Sequence, residues 1–194
     1  MARHLRGGEP VTWRVERHVA PRFWILGAVV LGLVGAFLLR TFVFGVYYVP
    51  SGSMLDTIHE GDLLLGERVS LAFDDPNPGD IVTFDSPLEE GETLVKRVIA
   101  VGGQTIDLRD GVVYVDGEAL DEPYVGGRPT ESLSDLAGSE GITYPYVVPE
   151  GTVWVMGDNR TNSKDSRYFG PVSVDDVTSR ARFIYWPIWD VRAL

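Results

Sequence analysis

Cysteine is absent from the 194 residues, which removes thiol nucleophiles, disulfide frameworks and cysteine metal sites together. Lysine is nearly absent: Lys96 and Lys164 stand against 15 arginines. Beyond residue 22 histidine occurs once, at His59. With one histidine there and no histidine pair at ligand spacing, a metal site is not expected. Arginine stays charged and cannot serve as a base. Proton acceptors near neutral pH therefore reduce to His59, a carboxylate, or a lysine of depressed pKa.

Positive charge is also scarce over most of the chain. Residues 45–194 carry 26 acidic side chains against 11 basic ones, within a net charge of −11 for the whole. That field repels phosphate backbones, so nucleic acid is not an expected partner. The first 22 residues differ, with Arg3, Arg6, Arg14, Arg17 and Arg22 against Glu9 and Glu16. A chain of this length is expected to hold one globular domain with appendages. About 150 residues suffice for a core without disulfides.

The longest apolar run is FWILGAVVLGLVGAFLL, the 17 uncharged residues from Phe23 to Leu39, followed by Arg40 and TFVF. Through Phe44 the stretch counts 22 residues, against the roughly 20 that a helix needs to cross a bilayer. Arg40 near one end can snorkel to the interface. A cleaved secretory signal has a shorter apolar region and ends in a small-x-small site. This run ends in FLLRTFVFGVYYVP, without Ala-x-Ala, so an uncleaved anchor is expected. Arginines ahead of the span place the N-terminus in the cytoplasm. The expected organisation is a cytoplasmic basic segment (1–22), a single anchor in the cell membrane (23–44) and an extracytoplasmic domain (45–194).

That domain reads as short β segments broken by turns, with no helical period held over three turns. Asp110-Gly111 and Asp116-Gly117 bracket VVYV and mark hairpins. Residues 126–143, GGRPTESLSDLAGSEGIT, read as a mobile surface loop or small insertion. The aromatic FIYWPIWDVRAL suits a buried last strand more than an interface-seeking patch.

Lys96 lies in the strand-like LVKRVIAV, where a two-residue period puts it with Leu94, Val98 and Ala100 and turns Arg97 away. An ammonium among aliphatic side chains is desolvated, which lowers its pKa. The plain alternative is an edge-strand lysine with its head in water. Lys164, between Ser163 and Asp165, stays charged and is given no chemistry. In VPSGSMLDTIHEGD a serine in a glycine-containing turn can aim Oγ and backbone N–H groups one way, as acyl transfer requires. Serine and lysine form a known variant of the triad logic. Ser-Gly-Ser alone is usually an ordinary turn. His59, six residues after Ser53, reads as a surface histidine, although it could also pair with a serine.

The joint order of these stretches resembles the bacterial type I signal peptidases, membrane-anchored Ser–Lys endopeptidases. VPSGSMLDTIHEGD is similar to their nucleophile box, PGDIVTF to the next strand box, LVKRVIAVGG to the lysine box and VMGDNRTNSKDSRYFGPV to their most diagnostic stretch. The four span Val49 to Val172 in the family's order, behind an anchor in its expected place. Asp56 stands where the family often has proline, and IAVGGQT lacks another proline often seen there. Both departures touch loop rigidity rather than the reacting groups.

The resemblance implies a mainly β, antiparallel catalytic domain that cleaves signal peptides from exported preproteins after small-x-small sites, with no cofactor. It implies Ser53 as nucleophile and Lys96 as general base. Ser51 and the Ser53 N–H would form the oxyanion hole, and Ser163 would orient Lys96. Asp158, Asn159, Arg160, Asp165 and Arg167 would be architectural support. A pilus- or conjugation-type relative with one dedicated substrate, and a silent membrane-tethered β module, are the rival readings. Self-cleaving repressor proteases share the Ser–Lys logic but not the anchor. At most about 30 Å of extended chain separates Phe44 from Ser53, which tethers the nucleophile near the outer surface.

Overall fold

The computed structural model describes residues 21–139 and 141–194; residues 1–20 of the basic segment lie outside them. Two compact units divide between Phe37 and Leu38. Helix α1, Pro21–Phe42, holds 22 residues with Arg40 in its last turn. Its stretch Phe23–Phe42 has a mean hydropathy of 2.2 and is long and apolar enough to cross a membrane. Trp24, Leu31 and Phe37 on it are exposed, as suits a helix whose solvent is hydrocarbon. The anchor expected to run through Phe44 ends two residues sooner as a helix, because Phe44 opens the first strand.

Among the described residues twelve strands follow. They are β1 (Phe44–Tyr48), β2 (Leu63–Glu67), β3 (Ile81–Asp85), β4 (Thr93–Val101), β5 (Thr105–Arg109) and β6 (Val112–Val115), then β7 (Glu118–Ala119), β8 (Tyr146–Val147), β9 (Thr152–Met156), β10 (Val172–Ser173), β11 (Val177–Trp186) and β12 (Arg192–Ala193). One short helix, α2 (Ser166–Phe169), precedes β10. The main sheet runs β1-β2-β11-β3-β4-β9-β10 with β12 beside β11, and the smaller runs β7-β6-β5-β8. Every pairing is antiparallel. The domain is mainly β, as its sequence implies.

Local chemistry sets the hairpins of the smaller sheet. Asp110 and Gly111 have φ of 49° and 77°, and Asp116 and Gly117 have 53° and 87°. Two successive positive φ values make the turn whose twist matches the flanking strands. In the main sheet, β3 and β9 are buried almost throughout, so they read as continuous apolar runs.

Three apolar clusters fill the domain. Phe84, Val98, Val155 and Phe169 belong to one; Ile99, Ala100, Trp154 and Met156 to a second; Met54, Ile58, Leu64 and Ile184 to a third. Strand β4 packs against all three, through Val98, through Ile99 and Ala100, and through Val95, and its register against β9 shifts between Val98 and Ala100. A bulge inserts one residue and reverses the alternation beyond it. The common face expected for Lys96, Leu94, Val98 and Ala100 thus holds for Leu94 and Val98, which pack in the first cluster, and fails for Ala100, which sits in the second.

The described part of 126–143 contains no strand or helix, and several of its residues are tied to the rest of the domain. Thr130 and Ile142 are buried, Arg167 donates to the Glu131 carbonyl and the Tyr168 hydroxyl to that of Ala137. The aromatic C-terminal stretch is core only in part. Ala181 and Ile184 of β11 are buried, whereas Phe183, Tyr185, Trp186, Ile188, Trp189 and Val191 are exposed. Register shifts along β11 beside β2 fall between Ala181 and Phe183 and between Ile184 and Trp186, and Ile188, Trp189 and Val191 lie beyond the strand.

Trp154 is the largest fully buried side chain and stacks on Tyr146, with ring centroids 5.0 Å apart. Trp154→Ala is expected to cost about 3–5 kcal/mol. Denaturant unfolding of the detergent-solubilised chain checks this; a loss below about 1 kcal/mol would mean that the second cluster does not hold the domain.

Candidate active site

The nucleophile turn is built by burial on one side of a short 3-10 turn. Gly52–Met54 form that turn, entered from Ser51 in extended conformation. Met54 and Ile58 sink into the third cluster, which fixes the turn while Ser53 stays half-buried. Backbone bonds from Val49 to the Asp62 carbonyl (3.0 Å) and from Gly61 to that of Val49 (2.9 Å) close the loop at its base.

The Gly-Asp-Asn-Arg segment clamps this turn from the opposite side. The Asn159 backbone N–H donates to the Ser53 carbonyl (3.0 Å) and its Nδ2 to that of Gly52 (2.9 Å). Thr57 donates to Asp158, whose carboxylate also takes both Arg97 Nε (2.9 Å) and Nη2 (2.7 Å). Any Cβ on Gly157 would collide with Ser163 Oγ and the Ser53 carbonyl, so the motif's glycine is there for close approach.

Lys96 reaches this turn from β4. It is 3% exposed, and its Nζ donates to Ser53 Oγ at 2.8 Å and to the Val95 carbonyl at 3.1 Å. Burial drives its pKa down to about 8, against the pull of the Asp165, Glu92 and Asp158 carboxylates. A lysine so placed is neutral for a useful fraction near pH 8, and a neutral amine accepts the serine proton along the same hydrogen bond.

The charges around it are buried in pairs. Asp165 is fully buried and caps α2 by accepting the Arg167 N–H. Its carboxylate also accepts Arg167 Nε and Nη2, each at 2.9 Å, and the Gly157 N–H at 3.0 Å. Burial works to raise its pKa, but Arg167 and the Gly157 N–H more than offset this and hold it below the usual carboxylate range. Arg160 donates to the Gly157 carbonyl (3.1 Å), to Thr130 (2.7 Å) and to the Glu122 carboxylate. Arg97 stacks over Tyr124 at 4.0 Å.

Ser53 and Lys96 are in direct contact, and Asp158, Asn159, Arg160, Asp165 and Arg167 are all buried around them. Ser51 is exposed and lines the same cleft, of about 270 Å³. Ser163 is buried beside Gly157, but its Oγ has no hydrogen-bond partner, so the expected bond to Lys96 is not formed in this structure. Lys164 lies over the Tyr168 ring at 4.9 Å, away from the cleft. His59 is exposed and lines a different cleft with Trp186 and Trp189. Its possible ligand atoms lie within 4.8 Å of those of Asp62 and Asp190, the one such group among the described residues. Asp62 there accepts the His59 N–H and Asp190 pairs with Arg192. Sequence reasoning missed Thr57, Glu122 and the role of Arg97. Only its place beside Lys96 singled Arg97 out.

Against known proteins, residues 22–186 match the family model described as signal peptidase, peptidase S26. A probable signal peptidase I-1 of Synechocystis sp. is 39% identical over 185 residues, covering 92% of this chain and 86% of that protein. A signal peptidase I of Bacillus caldolyticus is 38% identical over 155 residues, 77% and 83% of the two chains. The crystal structure of a signal peptidase I from Enterococcus faecalis V583 aligns at 32% identity with a TM-score of 0.43, covering 55% of this chain and 97% of that one.

The buried lysine carries a stability signature. Its folded pKa of about 8 lies below the ordinary 10.5, so stability rises with pH between those values and the burial penalty is fully present below about 8. Lys96→Met keeps the length without the charge. It is expected to be more stable than wild type at pH 6–7, by at most about 3 kcal/mol, with the gain vanishing towards pH 10.5. Unfolding free energies across pH 6–10.5 measure it; a variant less stable at pH 6–7 would show that the hydrogen bonds of Lys96 outweigh its desolvation.

Proposed function

The chain belongs to the signal peptidase family, peptidase S26, whose members are serine endopeptidases, and from that premise we propose that it removes N-terminal signal peptides from exported preproteins through Ser53 and Lys96. The observation that carries the assignment of residues is the 2.8 Å hydrogen bond between Lys96 Nζ and Ser53 Oγ, made by a lysine that is 3% exposed.

Neutral Lys96 takes the Ser53 proton as Oγ attacks the carbonyl carbon of the scissile bond. The tetrahedral oxyanion is held by the Ser53 N–H and the Ser51 hydroxyl. Lys96 then gives the proton to the leaving amine, which frees the mature protein and leaves the signal peptide esterified to Ser53. A water that loses its proton to Lys96 hydrolyses that ester and restores both residues. Ser163 is the orienting group for Lys96, supported by its buried hydroxyl beside the Ser53 carbonyl. The five supporting residues position the turn through the bonds described above.

Substrate binding has a physical basis in the sheet. Residues 93–97 of β4 pair with β3 on one side, while pairing with β9 begins only at Arg97. Thr93, Leu94 and Val95 therefore keep one free strand edge, and all three line the cleft. An extended peptide can add there as a strand, sending alternate side chains into a space of about 270 Å³. A small-x-small requirement fits that confinement. The anchor is a single pass with the N-terminus cytoplasmic, as the arginine asymmetry supports. Enzyme and preprotein then meet within one bilayer.

Ser53→Ala is expected to abolish preprotein processing without loss of fold. Lys96→Arg is expected to fail as completely, since a guanidinium has no useful neutral fraction. His59→Ala keeps activity, and kcat/KM falls on the acid side with a pKa near 8. Activity in Lys96→Arg together with its loss in His59→Ala would replace lysine by histidine as the base. Orientation has its own check: protease added to intact cells cuts within 126–143 and spares the first 22 residues, and the reverse pattern would invert the topology.

A further inference from the structure

Glu92 is the one carboxylate among the residues that line the Ser53–Lys96 cleft. It stands in the β3–β4 connection, immediately before the free edge at Thr93–Val95. The rest of the wall near it is neutral, from Val46, Tyr48 and Val49 on the β1 side and Leu94 and Val95 on β4. Glu92 is exposed and forms no ion pair among the described residues. Its field nevertheless reaches Lys96. Glu89 and Glu90 share the same connection but do not line the cleft.

We propose that Glu92 is a specificity-determining residue that favours a cationic side chain in the substrate about four residues before the scissile bond. The inference rests on the peptidase reading above. Glu92 stands one residue ahead of β4 and four ahead of Lys96, at most about 13 Å of extended chain. A peptide added to the free edge advances at the same rise. Running in the chain direction of β4 with its reacting carbonyl at Ser53 and Lys96, the peptide would bring its side chain about four positions earlier beside Glu92. The confined, neutral part of the cleft takes the residues between. An unpaired carboxylate there attracts a lysine or arginine and repels an aspartate or glutamate.

The test uses the full-length chain in detergent with three peptides that differ only at the fourth residue before the cut, carrying Lys, Gln or Glu. Exposed charge pairs are weak, so wild type is expected to prefer Lys over Glu about three- to tenfold in kcat/KM, with Gln between. Glu92→Gln brings the ratio within about twofold, Glu92→Lys reverses it, and Glu90→Gln keeps the wild-type ratio. About 1 M salt contracts the wild-type preference, because the screening length falls to about 3 Å. A preference unchanged in both Glu92 variants overturns the proposal, as does one equally lost in Glu90→Gln or one indifferent to salt. Absence of Ser53-dependent cleavage of all three peptides by wild type would instead sink the peptidase reading itself.

Discussion

Everything at this site depends on holding one ammonium-bearing side chain out of water beside one hydroxyl. Lys96 is 3% exposed, and its Nζ finds only Ser53 Oγ and the Val95 carbonyl. Desolvation disfavours the charged form, and nothing nearby fully repays it. The resulting pKa of about 8 leaves part of the amine neutral near neutral pH, as the role of base proposed for it requires. The main sheet exists, in this sense, to bring the middle of β4 under the turn that follows β1. The three clusters fix both partners, with Val98 anchoring the strand and Met54 and Ile58 anchoring the turn.

The buried charges behind the dyad would undo this if they were unbalanced. Asp158, Asp165 and Glu122 are each answered by a guanidinium, from Arg97, Arg167 and Arg160 respectively. Buried ion pairs contribute little net stability against apolar replacements, so stability does not account for three of them here. Their geometry does. Through Asn159 the same segment holds the carbonyls of Gly52 and Ser53, through Asp158 it takes the Thr57 hydroxyl, and through Arg160 and Arg167 it pins residues 130 and 131. A network of directional bonds fixes the turn more tightly than apolar packing would.

What the sequence makes legible is whatever depends on neighbours in the chain. Both Asp-Gly hairpins follow from the need for positive φ at adjacent residues. The free face of β4 up to Val98 follows from a period of two, as does the opposite orientation of Arg97. Contacts across the fold were not legible residue by residue. Arg97 and Asp158 are 61 positions apart, and nothing local marks them as partners. The bulge at Ile99 depends on how β9 meets β4, so the face of Ala100 was misjudged. The terminal aromatic stretch has a composition that suits a core more than an interface, yet Trp186 at the end of β11 and Trp189 in the turn beyond it are exposed. Residues 126–143 have the glycine, serine and acidic content of a loose loop. They are held by arginines from a distant segment.

A lysine base imposes a demand that a histidine does not. Histidine titrates near neutral pH unaided and is commonly oriented by a carboxylate on its far nitrogen. Lysine has no second ring nitrogen to hold, carries a flexible four-carbon stem, and begins near 10.5. The lowered pKa comes from burial, and the walls that desolvate Nζ also restrict its rotamers, beside whatever orientation Ser163 adds. This explains why the nearest ionised partner of Lys96 is not a carboxylate in contact. Such a contact would steady the side chain but keep it charged. At pH 7 a pKa of about 8 leaves about a tenth of the lysine neutral, and a peptide strand laid along Thr93–Val95 would shield Nζ further. Occupation of the cleft then favours the proton-accepting state, so substrate binding and base activation draw on the same exclusion of water.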